Sequence, residues 1–127
     1  MPEPTDIAIV TGAGSDEGIG AATALALGRA GMRVIVTSTT DRIQERVAEL
    51  RGAGVDARGV AADLTDPRGV EVVLDAARQA FGEPTVLVNN AGMTSVSTAD
   101  SPAAIDDITL DQWAMSLDRN LTTALRM

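Results

Sequence analysis

At 127 residues, with 45% hydrophobic content and only 2% aromatics, the chain has room for one compact domain in which helices pack through small side chains on a Val- and Ile-rich sheet. Ten arginines, no lysine and 18 acidic residues give a formal net charge of −8, which repels phosphate backbones and anionic lipid surfaces and sets nucleic acid aside as a partner. The absence of cysteine and histidine removes disulfides, thiol nucleophiles, the commonest metal ligand and the commonest general base, so no metal site is expected.

Met1-Pro2-Glu3-Pro4 lacks the basic and apolar run of a secretory signal, and no apolar stretch approaches a membrane span; a cytoplasmic location without a membrane partner is the expectation. Ile7-Ala8-Ile9-Val10 reads as a strand buried on both faces. A helix follows from Ile19 to Ala30, with Ile19, Ala22, Thr23, Ala26 and Ala30 at helical spacing and Gly31 as its terminator. Val34 to Thr37 repeats the strand pattern. Ile43, Val47 and Leu50 then place an apolar stripe on a second helix, expected to be capped near Asp41.

A weaker strand spans Ala57 to Ala62, and Asp66-Pro67 is a helix start, with an Asp cap before a proline at the first helical position. Val70, Val73, Leu74, Ala77 and Phe81 line that third helix, and Gly82 closes it. Val86-Leu87-Val88 is the fourth strand. A polar loop runs from Thr94 to Asp107, and Thr109-Leu110-Asp111-Gln112 has the form of a capping box for a last helix with Leu110, Trp113, Leu117, Leu121 and Leu125 in a stripe. Four strand-then-helix units imply an α/β fold with a doubly wound parallel sheet, all 127 residues belonging to one domain that stops inside the helix after the fourth strand.

The residues from Thr11 to Gly20 form a glycine-rich loop between the first strand and its helix. Glycines there allow close backbone approach, and the helix N-terminus offers unpaired N–H groups to a pyrophosphate, although glycines also serve plain tight turns. Asn89-Asn90-Ala91-Gly92 stands at the carboxyl end of the fourth strand. If the strand order is 3-2-1-4, that end adjoins the first strand at the switch point where ligands bind; an Asn-rich turn is the other reading.

Taken together, the Thr11–Gly20 loop, Asp63-Leu64, Asn89-Asn90-Ala91-Gly92 and Asn120 resemble the short-chain dehydrogenase/reductase family of the classical type, and resemble only about its front half. The resemblance implies a Rossmann-type fold. It implies that Gly12, Gly14, Ser15, Gly18 and Ile19 hold a pyrophosphate, that Asp63, with Leu64 beside it, accepts a bond from the adenine amino group, and that Asn90, Ala91 and Gly92 lie around a ribose. It also makes Asn120 the active-site asparagine of a water-linked proton relay. Trp113 and Leu117 at seven and three residues' remove place Asn120 on the buried helix face, where it could alternatively tie helix to strand.

This loop is two residues longer than the family's usual T-G-x-x-x-G-x-G, Asp16-Glu17 being the insertion. Two carboxylates near a pyrophosphate would cost ~1 kcal/mol each, so they are expected to point into solvent. After the second strand stand Ser38 and Thr39 rather than an acid, with Arg42 near; this favours NADP over NAD as cofactor.

Family catalysis uses a tyrosine, a lysine four residues on and a serine, for hydride transfer between nicotinamide and a carbonyl or secondary alcohol, a 3-oxoacyl thioester among the substrates the resemblance admits. These 127 residues contain no Tyr, no Lys and no Ser beyond Asn120, so they hold the cofactor half and should be inactive alone. An alternative is a non-catalytic nucleotide-binding or partner-recruiting module; a methyltransferase with an adenosyl cofactor is a third. With further strands absent, the fourth strand becomes an exposed edge and the last-helix stripe is uncovered, and a homo-oligomer through that helix is expected.

Overall fold

The computed structural model describes residues 6–92 and 104–127. Four strands, β1 (Ile7–Val10), β2 (Arg33–Ser38), β3 (Ala57–Ala61) and β4 (Val86–Val88), form one parallel sheet in the order β3-β2-β1-β4. β1 is central: Ile9 stands opposite Ile35 of β2 on one side and Leu87 of β4 on the other. All four residues of β1 and the middle four of β2 are buried, which is why both read as continuous apolar runs with no alternation.

Helices cover both faces. On one, α1 (Ile19–Arg29) and α2 (Ile43–Gly52) enclose a core of Val10, Ala24, Val34, Val36, Ile43, Val47 and Leu50. On the other, α3 (Pro67–Ala80) packs Val70, Val73 and Ala77 on Ile9 and Ile35, with Leu74 and Phe81 at its margin. The doubly wound arrangement is therefore as expected. α3 also begins as its residues dictate: the Asp66 side chain accepts from Arg68 N at 2.9 Å, Pro67 opens the helix, and Gly82 leaves it at φ +118°.

Two helix expectations are corrected. The buried face of α1 is Gly20 and Ala24, and Ile19 is 76% exposed, because the helix lies so close to the ends of β1 and β4 that size selects its inner face and hydrophobicity does not. The second correction concerns α2, whose N-cap is Arg42 with no side-chain cap bond. Thr40 to Arg42 already turn, and Gln44 N donates to Asp41 O at 2.9 Å, so the backbone enters the helix without the Asp41 carboxylate.

Of the polar loop, residues 94–103 lie outside the described residues, and Ile105–Asp107 make a single 3-10 turn. α4 (Leu110–Leu117) starts from a complete capping box: Gln112 N donates to Thr109 Oγ1 at 3.2 Å and Thr109 N to Gln112 Oε1 at 2.9 Å. A π turn over Asp118–Thr122 interrupts the helix before a last α-helical turn, α5 (Thr123–Arg126). The wider turn rotates the inward face, so that Thr123 is buried and Met127 packs against the α3 side of the core, while Leu121 and Leu125 stay 63% and 84% exposed. Asn120, expected on the buried face, is exposed, as are Trp113 and Leu117, the two residues that set that face. Among the described residues no helix is long and apolar enough to cross a membrane.

Candidate nucleotide cleft

The carboxyl ends of β1 and β4 are joined through one side chain. Thr11, 1% exposed, donates from Oγ1 to Val88 O at 3.3 Å and accepts from Asn90 N at 3.1 Å and Ala91 N at 2.9 Å. Asn90 Nδ2 completes the seam by donating to the carbonyls of Thr11 and Gly12, both at 3.1 Å. Gly12 follows at φ +68°, where a Cβ would stand 2.7 Å from Ala91 Cα, so the chain turns here only because the residue has no side chain.

Beyond this seam a cleft of about 810 Å³ opens across the sheet ends. It gathers Gly12, Gly14 and Ser15 from the loop, Ser38 and Thr39 from the end of β2, Asp63 and Leu64 from beyond β3, and Ala91 and Gly92 from beyond β4. These nine residues, distant in sequence, share one wall because parallel strands all end on the same side. Gly18 and Ile19 do not line it: Gly18 is the N-cap of α1, and Ile19 points outward at the start of that helix. Asn90 stands behind the wall, and Asn120 lies across its rim, with Nδ2 donating to Ser116 O at 3.0 Å and Oδ1 close over Gly92.

Asp63 is held from its own segment. Thr65 donates to Asp63 Oδ1 from its hydroxyl at 2.6 Å and from its backbone N at 2.9 Å, and these bonds, joined by the positive field of Arg119 and Arg126, keep the carboxyl below the ordinary aspartate range. A Cβ on Gly69 would overlap the Asp63 carbonyl oxygen, so the first turn of α3 sits against the Asp63 segment only with glycine there. Arg126 braces the same segment from α5, its Nη1 donating to Thr65 O at 2.6 Å and to Asp118 Oδ1 at 3.2 Å.

At the β2 end, Ser38 Oγ donates to Thr40 O at 2.7 Å, and Arg42 borders the cleft without an ion pair among the described residues. Asp16 and Glu17 are exposed, as the sequence implies, and neither lines this cleft. Thr65, Arg119 and Thr123 do line it and are absent from the sequence reading. The Asp-x-Thr spacing was a visible signal for Thr65, since a threonine two residues after an aspartate is placed to bond it. Arg119 and Thr123 had none, because the π turn that brings them in has no sequence signature.

The cleft suits a dinucleotide. Backbone approach is open at Gly12 and Gly14, Asp63 offers a carboxylate acceptor above the apolar Leu64, and Arg42 offers a cation. Among the described residues there is no cluster of acids fit for a metal.

Comparison with known proteins agrees with this geometry. A family model described as short chain dehydrogenase matches residues 6–127. The 3-oxoacyl-[acyl-carrier-protein] reductase FabG of Pseudomonas aeruginosa is 36% identical over 122 residues, covering 95% of this chain and 46% of that protein. Versicolorin reductase stcU of Emericella nidulans is 37% identical over 109 residues, covering 84% of this chain and 38% of that one. The solved structure of an actinorhodin polyketide ketoreductase with NADPH superposes with a TM-score of 0.86 at 33% identity, covering 99% of this chain and 46% of that chain. A short chain dehydrogenase from Mycobacterium smegmatis gives 0.84 at 27% identity, with 95% and 48% covered. The chain thus spans about half the length of the relatives it matches.

Proposed function

The chain belongs to the short-chain dehydrogenase family, and on that premise we propose that it binds a nicotinamide dinucleotide, NADP(H) in preference to NAD(H), as the cofactor-binding portion of a carbonyl reductase. The carrying observation is the one cleft in which loop glycines, Ser38, Asp63 and Ala91-Gly92 meet. The bound nicotinamide supplies a hydride to a carbonyl carbon or takes one from a secondary alcohol. This chain's residues bind and orient: Gly12, Gly14 and Ser15 hold the pyrophosphate by backbone N–H groups, and Asp63 accepts from the adenine amino group. Ala91 and Gly92 border the ribose, and the Asn90 side chain behind them fixes the backbone that does so.

Asn120 positions the water-linked proton path toward residues that these 127 do not include. NADP(H) is favoured by Arg42, a cation without an ion pair among the described residues, beside the Ser38 and Thr39 hydroxyls where a 2′-phosphate needs one. That actinorhodin ketoreductase was solved with NADPH supports the same choice. For the substrate, the name of the Pseudomonas relative supports a 3-oxoacyl thioester. For the partner, the exposed Leu121 and Leu125 support self-association through the last helix.

Titrating the purified chain with NADPH, NADH and S-adenosylmethionine tests the cofactor reading. NADPH should bind tightest, and Arg42→Ala should weaken NADPH about tenfold, the worth of one charge-assisted hydrogen bond, while leaving NADH unchanged. Binding of S-adenosylmethionine alone, or of none of the three, overturns it.

A further inference from the structure

Arg46 is a charged residue of α2 that no part of the cleft uses, yet it is 8% exposed. It lies behind the glycine loop, at a second cavity of about 350 Å³ between that loop, α1 and α2, lined by Ala13, Asp16, Glu17, Gly18, Leu25 and Glu49 among others. Its guanidinium is aimed by its own helix: Nη2 donates to Glu49 Oε1 at 2.8 Å and to Glu45 Oε2 at 3.4 Å. Nη1 then faces Asp16 Oδ1 at 3.9 Å, and Nε is buried without a partner. A buried donor left unsatisfied lowers stability, so the placement of this arginine is not accounted for by its contribution to the core.

What Arg46 reaches is the two-residue extension of the loop. Ala13 N donates to Thr37 O at 2.8 Å and fastens the loop's start, and Gly18 N closes back on Ser15 O at 3.3 Å. Between those points, Asp16–Arg46 is the one ion pair or hydrogen bond among the described residues that ties the loop to another element. A longer loop has more conformations to lose when it closes on a ligand, and a tether that removes them beforehand recovers affinity.

We infer that Arg46 is a positioning residue for the cofactor, acting through Asp16: anchored by Glu45 and Glu49, it pins the lengthened phosphate loop in its binding shape. The inference rests on the dinucleotide reading for its effect on affinity, and on the structure alone for its effect on the loop.

The test measures NADPH affinity and amide hydrogen exchange at Ser15–Gly18 in the 127-residue chain for Asp16→Asn, Arg46→Met, the double variant and Glu17→Gln. Asp16→Asn and Arg46→Met should each weaken NADPH about fivefold, as expected for a pair of this exposure, and the double variant should be no weaker than either. Both should speed loop exchange without ligand, Arg46→Lys should restore part of each effect, and Glu17→Gln should do neither. Deleting Asp16 and Glu17 should make binding indifferent to Arg46→Met. Unchanged loop exchange in Asp16→Asn, or additive losses in the double variant, overturns the inference. Asp16 is exposed, so that variant folds even if Arg46→Met does not. Should the unaltered chain bind neither NADPH nor NADH, the cofactor reading falls, and loop exchange in Asp16→Asn still decides the tether.

Discussion

Thr11 carries more of the cleft than any residue that faces the ligand, since one hydroxyl serves Val88, Asn90 and Ala91 at once. Thr11→Val keeps the shape and leaves the half-buried Ala91 N–H without its acceptor, while Asn90 N keeps Val88 O at 3.0 Å, which should cost about 1 kcal/mol in denaturant unfolding, and Thr11→Ser should cost less than half of that. Asp63 gives a second residue-scale expectation. Its carboxyl is held low, first by the Thr65 hydroxyl, then by the Thr65 amide, Arg119 and Arg126. A group with a depressed folded-state value contributes stability above its unfolded value and loses it as pH falls through the folded one, so its contribution fades only below the ordinary aspartate range. Thr65→Val should move the Asp63 carboxyl titration upward, followed by carbon-detected NMR, and an unmoved titration would show the hydroxyl bond to be immaterial. At this scale the glycine loop and Asn90-Ala91-Gly92 were legible because backbone approach and strand-end position restrict residue type, and Asp63 only through the family resemblance. Arg46, Arg119 and Thr123 were not, because an arginine or threonine on a helix is ordinary until its neighbours are known.

Elements with their own local chemistry were readable in the same way. Asp66-Pro67 and Thr109-Gln112 each encode a helix start in four residues or fewer, and both are present with their bonds formed. Asp66→Ala should therefore lower stability by about 1 kcal/mol, seen as a lower melting temperature with the sheet unchanged by circular dichroism. The inner face of α1 was misread because alanines surround the helix, leaving little hydrophobic asymmetry; the tight approach at Gly20 decided it. The last helix defeated periodicity differently. A constant 3.6-residue period carries Leu117 to Leu121 and Leu125, whereas the π turn at Asp118–Thr122 presents Thr123 and Met127 inward and sends Arg126 across to Thr65.

For the molecule as a whole, the order β3-β2-β1-β4 leaves β4 paired on one side, with Leu87 42% exposed, and the last helix displays Leu110, Trp113, Leu121 and Leu125. The isolated chain should self-associate, and Leu121→Glu with Leu125→Glu should shift sedimentation toward monomer without loss of NADPH affinity. No carbonyl-dependent NADPH consumption is expected from it, since Tyr and Lys are absent; turnover surviving removal of contaminating reductases would contradict that. The chain's single tryptophan, Trp113, stands 56% exposed on that helix, and there is no tyrosine to add background emission. The protein therefore carries a one-site optical reporter. Its fluorescence should be red-shifted in dilute solution and move to the blue whenever another copy, or the remainder of a longer chain, covers the helix, so that assembly can be followed by colour in the unlabelled protein.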